Sequence, residues 1–275
     1  MDNYKPAIKR KIGVGVITYN REAMFERVTK SLPFDKLHFC CAVNDGSIYQ
    51  TDEKKKYDVY IQHIENKGVA AAKNIALSAM IGMGCDHLFL IEDDIVIKDP
   101  NVFDRYIDAA SASGIWHLCF EKVGDNKKQI VHEHLYWKMV GDGYGKGIRM
   151  TFHRNPQGAF MYILGSVVKL VGGFDEKFKN AFEHIDFTYR CVQKGLLPPF
   201  WYFPDLEDSG TLLESIGEGN VSSITDKEGY KENWNKGAKH FIEKHGYFTN
   251  KIPVLQTCFV EEEIERIQRT YSHEA

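Results

Sequence analysis

Four short apolar runs in the first part of the chain constrain its fold most strongly, because helical patterns separate them. The runs occupy residues 12–18, 37–43, 57–61 and 87–91. Between them, residues 21–31 and 67–83 place apolar side chains at helical spacing. Strands that alternate with helices form a largely parallel sheet covered on both faces. We therefore expect an α/β domain around a mostly parallel central sheet.

Three of these runs end in polar clusters. The clusters are residues 18–21 (Thr-Tyr-Asn-Arg), 44–47 (Asn-Asp-Gly-Ser) and 92–94 (Glu-Asp-Asp). The carboxyl ends of parallel strands meet at one edge of a sheet, which is where such sheets bind ligands. We expect the three clusters to lie together at a binding site.

The second half of the chain has a different character. Four glycines between residues 141 and 147 separate two strand-like segments, 130–140 and 148–153, and predict an antiparallel hairpin or mobile flap at 120–158. Further patterns predict a buried strand at 159–164 and helices at 166–171, 183–194, 233–245 and 261–271.

The composition excludes several classes of protein. The 275 residues carry a net charge of −3, so no global positive field attracts nucleic acid or anionic lipid. The longest uncharged apolar stretch, 158–168, is well short of the roughly 20 residues that span a bilayer. The first residues lack a secretory apolar core, and the six cysteines lack metal-ligand spacing. We expect a cytoplasmic protein whose cysteines are reduced packing residues.

The acidic triplet at 92–94 places three carboxylates at a strand end, where their repulsion needs compensation. A hard divalent cation provides it. The alternative is a helix N-terminus, in which Asp94 or Asp99 caps a helix near Pro100. Taken alone, the triplet favours neither. The predicted neighbourhood of Asp45 and the 18–21 loop, which offers backbone N–H groups and an arginine to an anion, favours the metal.

These residues resemble the motifs of nucleotide-sugar glycosyltransferases with the glycosyltransferase-A fold, and family 2 most closely. Ordered matches, which span about two thirds of the chain, occur at 16–21, 44–47, 66–74, 90–95, 172–176 and 183–186. The resemblance implies a single Rossmann-like domain (1–275). Its implied parts are a nucleotide-sugar-binding half (11–118), an acceptor half (119–200) and a C-terminal helical extension (201–275).

The resemblance also implies residue roles in donor binding. Thr18, Asn20 and Arg21 would line the nucleotide pocket, Asp45 would bond the base, and Lys73 would reach toward the base or the phosphates. The alternatives are that residues 45–47 only form a turn and that Lys73 is only a solvated helix residue. The nucleotide-sugar-binding residues implied in this way are Thr18, Tyr19, Asn20, Arg21, Asp45, Lys67, Gly68, Lys73, Glu92 and Asp93.

The same resemblance assigns the metal. Asp94 would bind Mn²⁺ or Mg²⁺ at the donor diphosphate, together with Glu92, which stands near the position where the family pattern usually has aspartate. The metal would neutralise charge on the leaving nucleoside diphosphate. Candidates for a further ligand from later in the chain are His153, Asp205, Asp208 and His240.

The catalytic base is implied at the start of the helix that follows the Gly-Gly-Phe-Asp-Glu motif. The family usually has Glu-Asp there, and this chain has Glu183-His184. Glu183, His184 and Asp186 compete for the role. We favour Glu183 or Asp186, because an imidazole at this place is equally suited to orienting an acceptor.

The resulting hypothesis is a metal-dependent inverting glycosyltransferase that moves a sugar from a nucleoside diphosphate, UDP by preference, to an acceptor hydroxyl. Glycans are the commonest acceptors in the family, and small molecules, proteins and modified DNA bases are others. Lysines at 122–146 and Arg149 make the flap locally basic. The alternatives are a non-catalytic nucleotide-sugar binding module and, ranked lower, a metal-dependent nucleotidyltransferase, whose glycine-rich, lysine-containing loop is missing from the start of the sequence.

Overall fold

The computed structural model describes residues 10–121, 149–216 and 229–272. Its strands are β1 (Ile12–Thr18), β2 (Phe39–Asn44), β3 (Val59–Gln62), β4 (His87–Glu92), β5 (Ile95–Ile97), β6 (His117–Cys119), β7 (Met150–His153), β8 (Phe160–Leu164), β9 (Phe203–Leu206) and β10 (Leu213–Ser215). Its helices are α1 (Glu22–Ser31), α2 (Val69–Gly82), α3 (Val102–Ser113), α4 (Gly165–Val171), α5 (Glu183–Gln193), α6 (Ser209–Leu212), α7 (Tyr230–His245) and α8 (Thr257–Tyr271).

The central sheet has six strands in the order β3-β2-β1-β4-β8-β6. The first four run parallel, and β8 lies antiparallel to both β4 and β6. Every residue of β1 and β2 is buried, as expected for inner strands of a parallel sheet. The predicted α/β class with a mostly parallel sheet is confirmed.

The register of the sheet brings the polar clusters to one edge. Thr18 at the end of β1 lies opposite Asn44 of β2, and Ile17 lies opposite Glu92 of β4. The three polar clusters therefore leave the sheet side by side, as the sequence predicts.

The acidic triplet does not begin a helix. After Asp94 the chain enters β5, which pairs with β10, and α3 begins only at Val102. Asn101 is the N-cap of α3 and makes no side-chain cap bond, while Asp99 accepts a hydrogen bond from the Asn101 backbone N–H. The capping interpretation is therefore wrong for Asp94, because Glu92 ends β4 and Asp93 and Asp94 form the turn to β5, whereas Asp99 lies just before α3 and binds the N–H of its N-cap residue.

The predicted flap is described only at its ends, since residues 122–148 lie outside the described residues. They include the predicted strand 130–140 and most of the basic residues. The strand predicted at 148–153 is present as β7, and it pairs with β9. That pairing partner was not predicted, because a period-2 pattern identifies a strand but not its neighbour.

Helix α7 is fastened to the rest of the domain by charge and by aromatic packing. Lys244 contacts Asp175 at 2.8 Å and Asp186 at 2.9 Å, and His240 contacts Asp175 at 2.9 Å. Phe241 is fully buried in an aromatic cluster with Phe178, Phe182, Tyr189, Phe200 and Phe203. These contacts fix where the first turn of α7 lies.

Five of the six cysteines are buried and free, as predicted, but Cys258 is exposed. In the part of the chain that the structure describes, no helix is both long enough and apolar enough to cross a membrane.

Candidate functional site

A cavity of about 280 Å³ opens where the polar clusters leave the sheet. One wall comes from the ends of β1, β2 and β4, and the other from the loop before α5 and the first turn of α7. Its lining residues are Ile17, Thr18, Tyr19, Arg21, Asp45, Asn66, Val69, Glu92, Lys179, Asn180, Tyr230 and Asn233.

Asp45 marks one end of the cavity and is held by three hydrogen bonds. Its Oδ1 accepts from His63 Nδ1 at 2.7 Å and from the Lys67 backbone N–H at 2.9 Å. Its Oδ2 accepts from the Gly68 backbone N–H at 2.9 Å. Lys67 and Gly68, which were predicted to bind the nucleotide-sugar, are not among the cavity-lining residues and instead hold Asp45 through their backbone amides. Asp45 does more than form a turn.

Gly68 allows two loops to meet beside this end of the cavity. Its φ is +100°, and an added Cβ would lie 2.5 Å from the backbone oxygen of Lys179. The same oxygen accepts a hydrogen bond from the Val69 backbone N–H at 3.0 Å. Because a side chain fits neither the angle nor the space, glycine is required where the 179–180 loop docks on the start of α2.

Asp93 is fully buried behind the cavity and organises the loop that follows β1. It accepts a hydrogen bond from the Thr18 hydroxyl at 2.7 Å and pairs with the guanidinium of Arg21. Burial raises the pKa of Asp93 to about 7, although Arg21 and Thr18 oppose the shift. Arg21 also lies 3.8 Å from Asp94. Asp93 therefore positions Arg21, which lines the cavity.

Lys73 does not face the cavity. Its side chain is fully buried, and its Nζ contacts Glu92 at 2.8 Å, Glu183 at 3.2 Å and the Gly158 carbonyl oxygen at 2.9 Å. Burial lowers the pKa of Lys73, but the attraction of the two carboxylates is the larger effect. The pKa of Lys73 is therefore raised above its usual value. The structure thus gives Lys73 the place of a buried counter-ion, rather than a contact with base or phosphate or a solvated position.

Glu183 and His184 begin α5 next to this lysine. Glu183 Oε1 lies 3.1 Å from His184 Nδ1. The N-cap residue, Phe182, has φ of +73°, which is unusual for an aromatic residue, and it is buried in the aromatic cluster of α7. The cluster therefore holds a strained backbone at the point where Glu183 enters the site.

Asp186 belongs to a different network. It is fully buried and is contacted by Arg190, Lys244 and His245 at 2.9 Å each. These partners come from α5 and α7, and Asp186 is not among the cavity residues. Its environment suits a buried anchor between the two helices better than a base.

The four candidates for a later metal ligand all have partners of their own. His153 contacts Glu121 at 3.0 Å, and Asp205 accepts hydrogen bonds from Tyr106 and Ser209. Asp208 pairs with Arg105, and His240 with Asp175. Among the described residues, no three His, Cys, Asp or Glu side chains form a metal-binding group.

The acidic end of the site nevertheless fits a divalent cation. Glu92, Asp94 and Glu183 supply three carboxylate charges and Asp93 a fourth when it is ionised, while Arg21 and Lys73 supply two cations, so between one and two negative charges are in excess. The Asp94 side chain retains 13% exposure and offers the hard oxygen ligands that Mn²⁺ and Mg²⁺ accept. Such ions are commonly held by one or two carboxylates together with substrate phosphates. The charge and the donor set thus match a metal that arrives with a diphosphate.

The cavity includes residues that sequence reasoning did not assign. Thr18, Tyr19, Arg21, Asp45 and Glu92 line it as predicted, while Asn20 instead binds Ser47 through its backbone N–H and side-chain oxygen. The unassigned residues are Ile17, Asn66, Val69, Lys179, Asn180, Tyr230 and Asn233. Ile17, Asn66 and Val69 lie within the motifs at 16–21 and 66–74, but the others carry no local signal.

No protein-family model matches the chain. An uncharacterized glycosyltransferase of Acanthamoeba polyphaga mimivirus, R363, is 24% identical to it, and the match covers 90% of this chain and 95% of that protein.

Among solved structures, the mannosyltransferase PcManGT from Pyrobaculum calidifontis, in complex with GDP-Man and Mn²⁺, matches with a TM-score of 0.51 and 14% identity. That match covers 98% of this chain and 72% of the other. Glucosyl-3-phosphoglycerate synthase from Mycobacterium tuberculosis, in complex with Mn²⁺, UDP and glucosyl-3-phosphoglycerate, matches 67% of this chain and 66% of the other, with a TM-score of 0.47 and 13% identity. The mimivirus relative and the PcManGT structure confirm the predicted resemblance to glycosyltransferases and the glycosyltransferase-A fold class.

Proposed function

We propose that the chain is a metal-dependent inverting glycosyltransferase that transfers a sugar from a UDP-sugar to an acceptor hydroxyl. The observation that carries the proposal is the cavity at the sheet edge, where Asp45, Arg21 and Glu92 converge. The glycosyltransferase names of the mimivirus relative and of PcManGT support the same reaction class.

The hydrogen bonds of Asp45 favour uracil as the base. An ionised carboxylate has about four acceptor sites, and three are already used by His63, Lys67 and Gly68. One site remains, on Oδ2. Uracil presents a single N–H between two carbonyl oxygens, whereas guanine presents two adjacent N–H donors. Asp45 is therefore matched to uracil, and the amide of Asn66 stands nearby as a donor to a carbonyl.

At the opposite end, Arg21 and the acidic turn would receive the diphosphate. Arg21 lines the cavity, and a guanidinium is a suitable partner for phosphate oxygens. Asp94, with Glu92 beside it, would hold Mn²⁺ or Mg²⁺. When bound, the metal would supply a Lewis acid that stabilises the negative charge of the leaving UDP.

Inversion needs one base on the acceptor side of the sugar, and the start of α5 provides the candidate groups. Lys73 joins Glu183 to Glu92, which lines the cavity, so this helix start lies close to the diphosphate end. The acceptor is a hydroxyl compound, and a glycan remains our prediction for its class.

The proposal is tested with a panel of nucleoside diphosphate sugars, each with Mn²⁺, Mg²⁺ or EDTA. We expect UDP and one or more UDP-sugars to raise the melting temperature in the presence of metal, and EDTA to abolish both the shift and the release of UDP. GDP-sugars are the matched control for the base. If only GDP-sugars raised the melting temperature, the inference that Asp45 selects uracil would be contradicted.

Two variants locate the metal. We expect Asp94→Asn to remove the metal-dependent shift and to slow UDP release by about a hundredfold. Asp52→Asn, at an exposed surface ion pair with Lys55, is the control and should change neither. Donor binding without release of UDP under any acceptor would support the non-catalytic binding module instead.

A further inference from the structure

Glu183 is poorly placed to accept a proton. Its side chain is 4% exposed, and Oε1 is shared between Lys73 Nζ at 3.2 Å and His184 Nδ1 at 3.1 Å. Burial favours the neutral acid, but Lys73 and His184 prevail and lower the pKa of Glu183 well below its usual range. A carboxylate that is kept charged by a buried lysine and an adjacent imidazole is a weak base.

His184 has the complementary properties. A charged carboxylate only accepts hydrogen bonds, so His184 Nδ1 carries the hydrogen in its contact with Glu183. In the neutral ring, Nε2 then carries the lone pair. Its side chain is 23% exposed, and no partner within residues 10–121, 149–216 and 229–272 is recorded for Nε2. The ring is therefore oriented by one nitrogen and open at the other.

Gly158 fixes this ring from the other side. An added Cβ at Gly158 would lie 3.0 Å from His184 Cγ and Nδ1 and 3.1 Å from Lys73 Nζ. The Gly158 carbonyl oxygen also accepts a hydrogen bond from Lys73. The backbone at residue 158 thus packs against His184 and Lys73 together, and a Cβ there would fit only if these side chains moved by a few tenths of an ångström.

The arrangement is joined to the cavity through Glu92, although Glu183 and His184 are not themselves among the residues that line it. Asp45 marks the base end, and Glu92 lines the cavity near the acidic turn. Lys73 connects Glu92 to Glu183, and Glu183 contacts His184. Three successive contacts therefore link His184 to Glu92, which lies beside the proposed position of the diphosphate and the sugar.

We propose that His184 Nε2 is the general base of the transfer and that Glu183 is its positioning residue, with Lys73 as the counter-ion of Glu183. This assignment rests on the proposed function and reverses the sequence-based preference for a carboxylate. The acceptor oxygen forms a bond to the anomeric carbon of the sugar while its proton passes to Nε2. The bond from that carbon to the phosphate oxygen breaks, and its electron pair leaves on UDP.

The test measures UDP release from UDP-glucose, UDP-galactose and UDP-N-acetylglucosamine, with water as the acceptor. We expect His184→Ala to slow release by about 10²–10⁴-fold. Binding of UDP with Mn²⁺ should stay within about twofold of the wild type, because the base acts on the acceptor rather than on UDP. Added imidazole should restore part of the rate. His38→Ala is the control, since the His38 side chain is exposed and bonds only the Met83 carbonyl oxygen among the described residues, and imidazole should not change its rate.

Two variants of Glu183 separate positioning from catalysis. Glu183→Gln keeps an oxygen that accepts from Nδ1, whereas Glu183→Ala keeps none. If Glu183 positions His184, the alanine variant loses more rate than the glutamine variant, with donor binding unchanged. If Glu183 is the base, both variants lose the same activity, His184→Ala keeps its rate, and the proposal is overturned.

A measurement without turnover tests the same geometry. Nitrogen-15 NMR of the histidine rings should show His184 in the tautomer with hydrogen on Nδ1, and Glu183→Ala should shift it toward the other tautomer. A wild-type ring with hydrogen on Nε2 would overturn the assignment. A wild-type chain that neither binds UDP nor releases it would instead overturn the proposed function.

Discussion

Replacing Lys73 by methionine removes a buried charge and leaves the side-chain stem nearly unchanged. Lys73 is fully buried between Glu92 and Glu183, so the variant leaves two carboxylates without their cation. Loss of one partner of a buried ion pair costs about 3–5 kcal/mol. Glu92 keeps 24% exposure and can be hydrated, so the cost falls mainly on Glu183. We expect a loss near the lower value, about 3 kcal/mol of unfolding free energy, or roughly 6–12 °C in melting temperature.

The assay is urea unfolding at pH 7, followed by circular dichroism. Lys30→Met is the matched control, because Lys30 forms an exposed pair with Glu26, and its removal should change stability by less than about 0.5 kcal/mol. An unchanged urea midpoint for the Lys73 variant would refute the counter-ion role.

The pH dependence of this variant gives a second check. In the wild type the pKa of Glu183 is lowered, so its stabilisation is present above the ordinary glutamate pKa and is lost as the pH falls through the folded value. Without Lys73 the main cause of the lowering is gone, and burial raises the pKa instead. The free energy of unfolding of the variant is then reduced most at neutral pH. It should approach that of the wild type as the pH falls toward 4. If the stability difference between the variant and the wild type grew as the pH fell, the counter-ion role of Lys73 would be contradicted.

Three further substitutions test the packing around the site. We expect Gly158→Ala to lower the free energy of unfolding by about 1–3 kcal/mol and to slow UDP release, because the added Cβ would press on His184. Gly82→Ala is the control, because nothing lies within 4 Å of a Cβ at that position. Asp186→Asn should lower the free energy of unfolding by about 3 kcal/mol, because it removes a fully buried charge from three basic partners. An unchanged midpoint of urea unfolding would contradict the anchoring role of Asp186. Gly68→Ala, at φ of +100° and without space for a Cβ, should lower both the melting temperature and the affinity for UDP measured by calorimetry; wild-type affinity would show that the docked loop does not shape the cavity.

The strand ends were predictable because their signal is local. An apolar run followed by a polar cluster identifies both the strand and its functional end, and the parallel topology then brings Thr18, Asp45 and Glu92 to one edge. The α/β class and the wall of the cavity formed by the sheet edge could be inferred from these patterns alone.

Side-chain direction was not predictable in the same way. Lys73 stands in a motif that suggests contact with phosphate, yet the rotation of α2 turns it inward to two carboxylates. The preference for Glu183 or Asp186 as the base was formed without their partners, which only the packing of α2, α5 and α7 supplies. Tyr230 and Asn233 were missed because the packing of α7, and not any local pattern, brings them to the cavity.

The position of Tyr230 and Asn233 also affects how the chain acquires its binding site. They share one cavity with Arg21, which lies near the other end of the sequence, so the cavity closes only through contacts of very long sequence separation. Contacts of this kind form late, because the entropy of a large loop must be lost before they stabilise the fold. During synthesis on the ribosome, the sheet edge therefore emerges long before the wall that completes it. In refolding experiments, recovery of secondary structure should precede recovery of UDP binding.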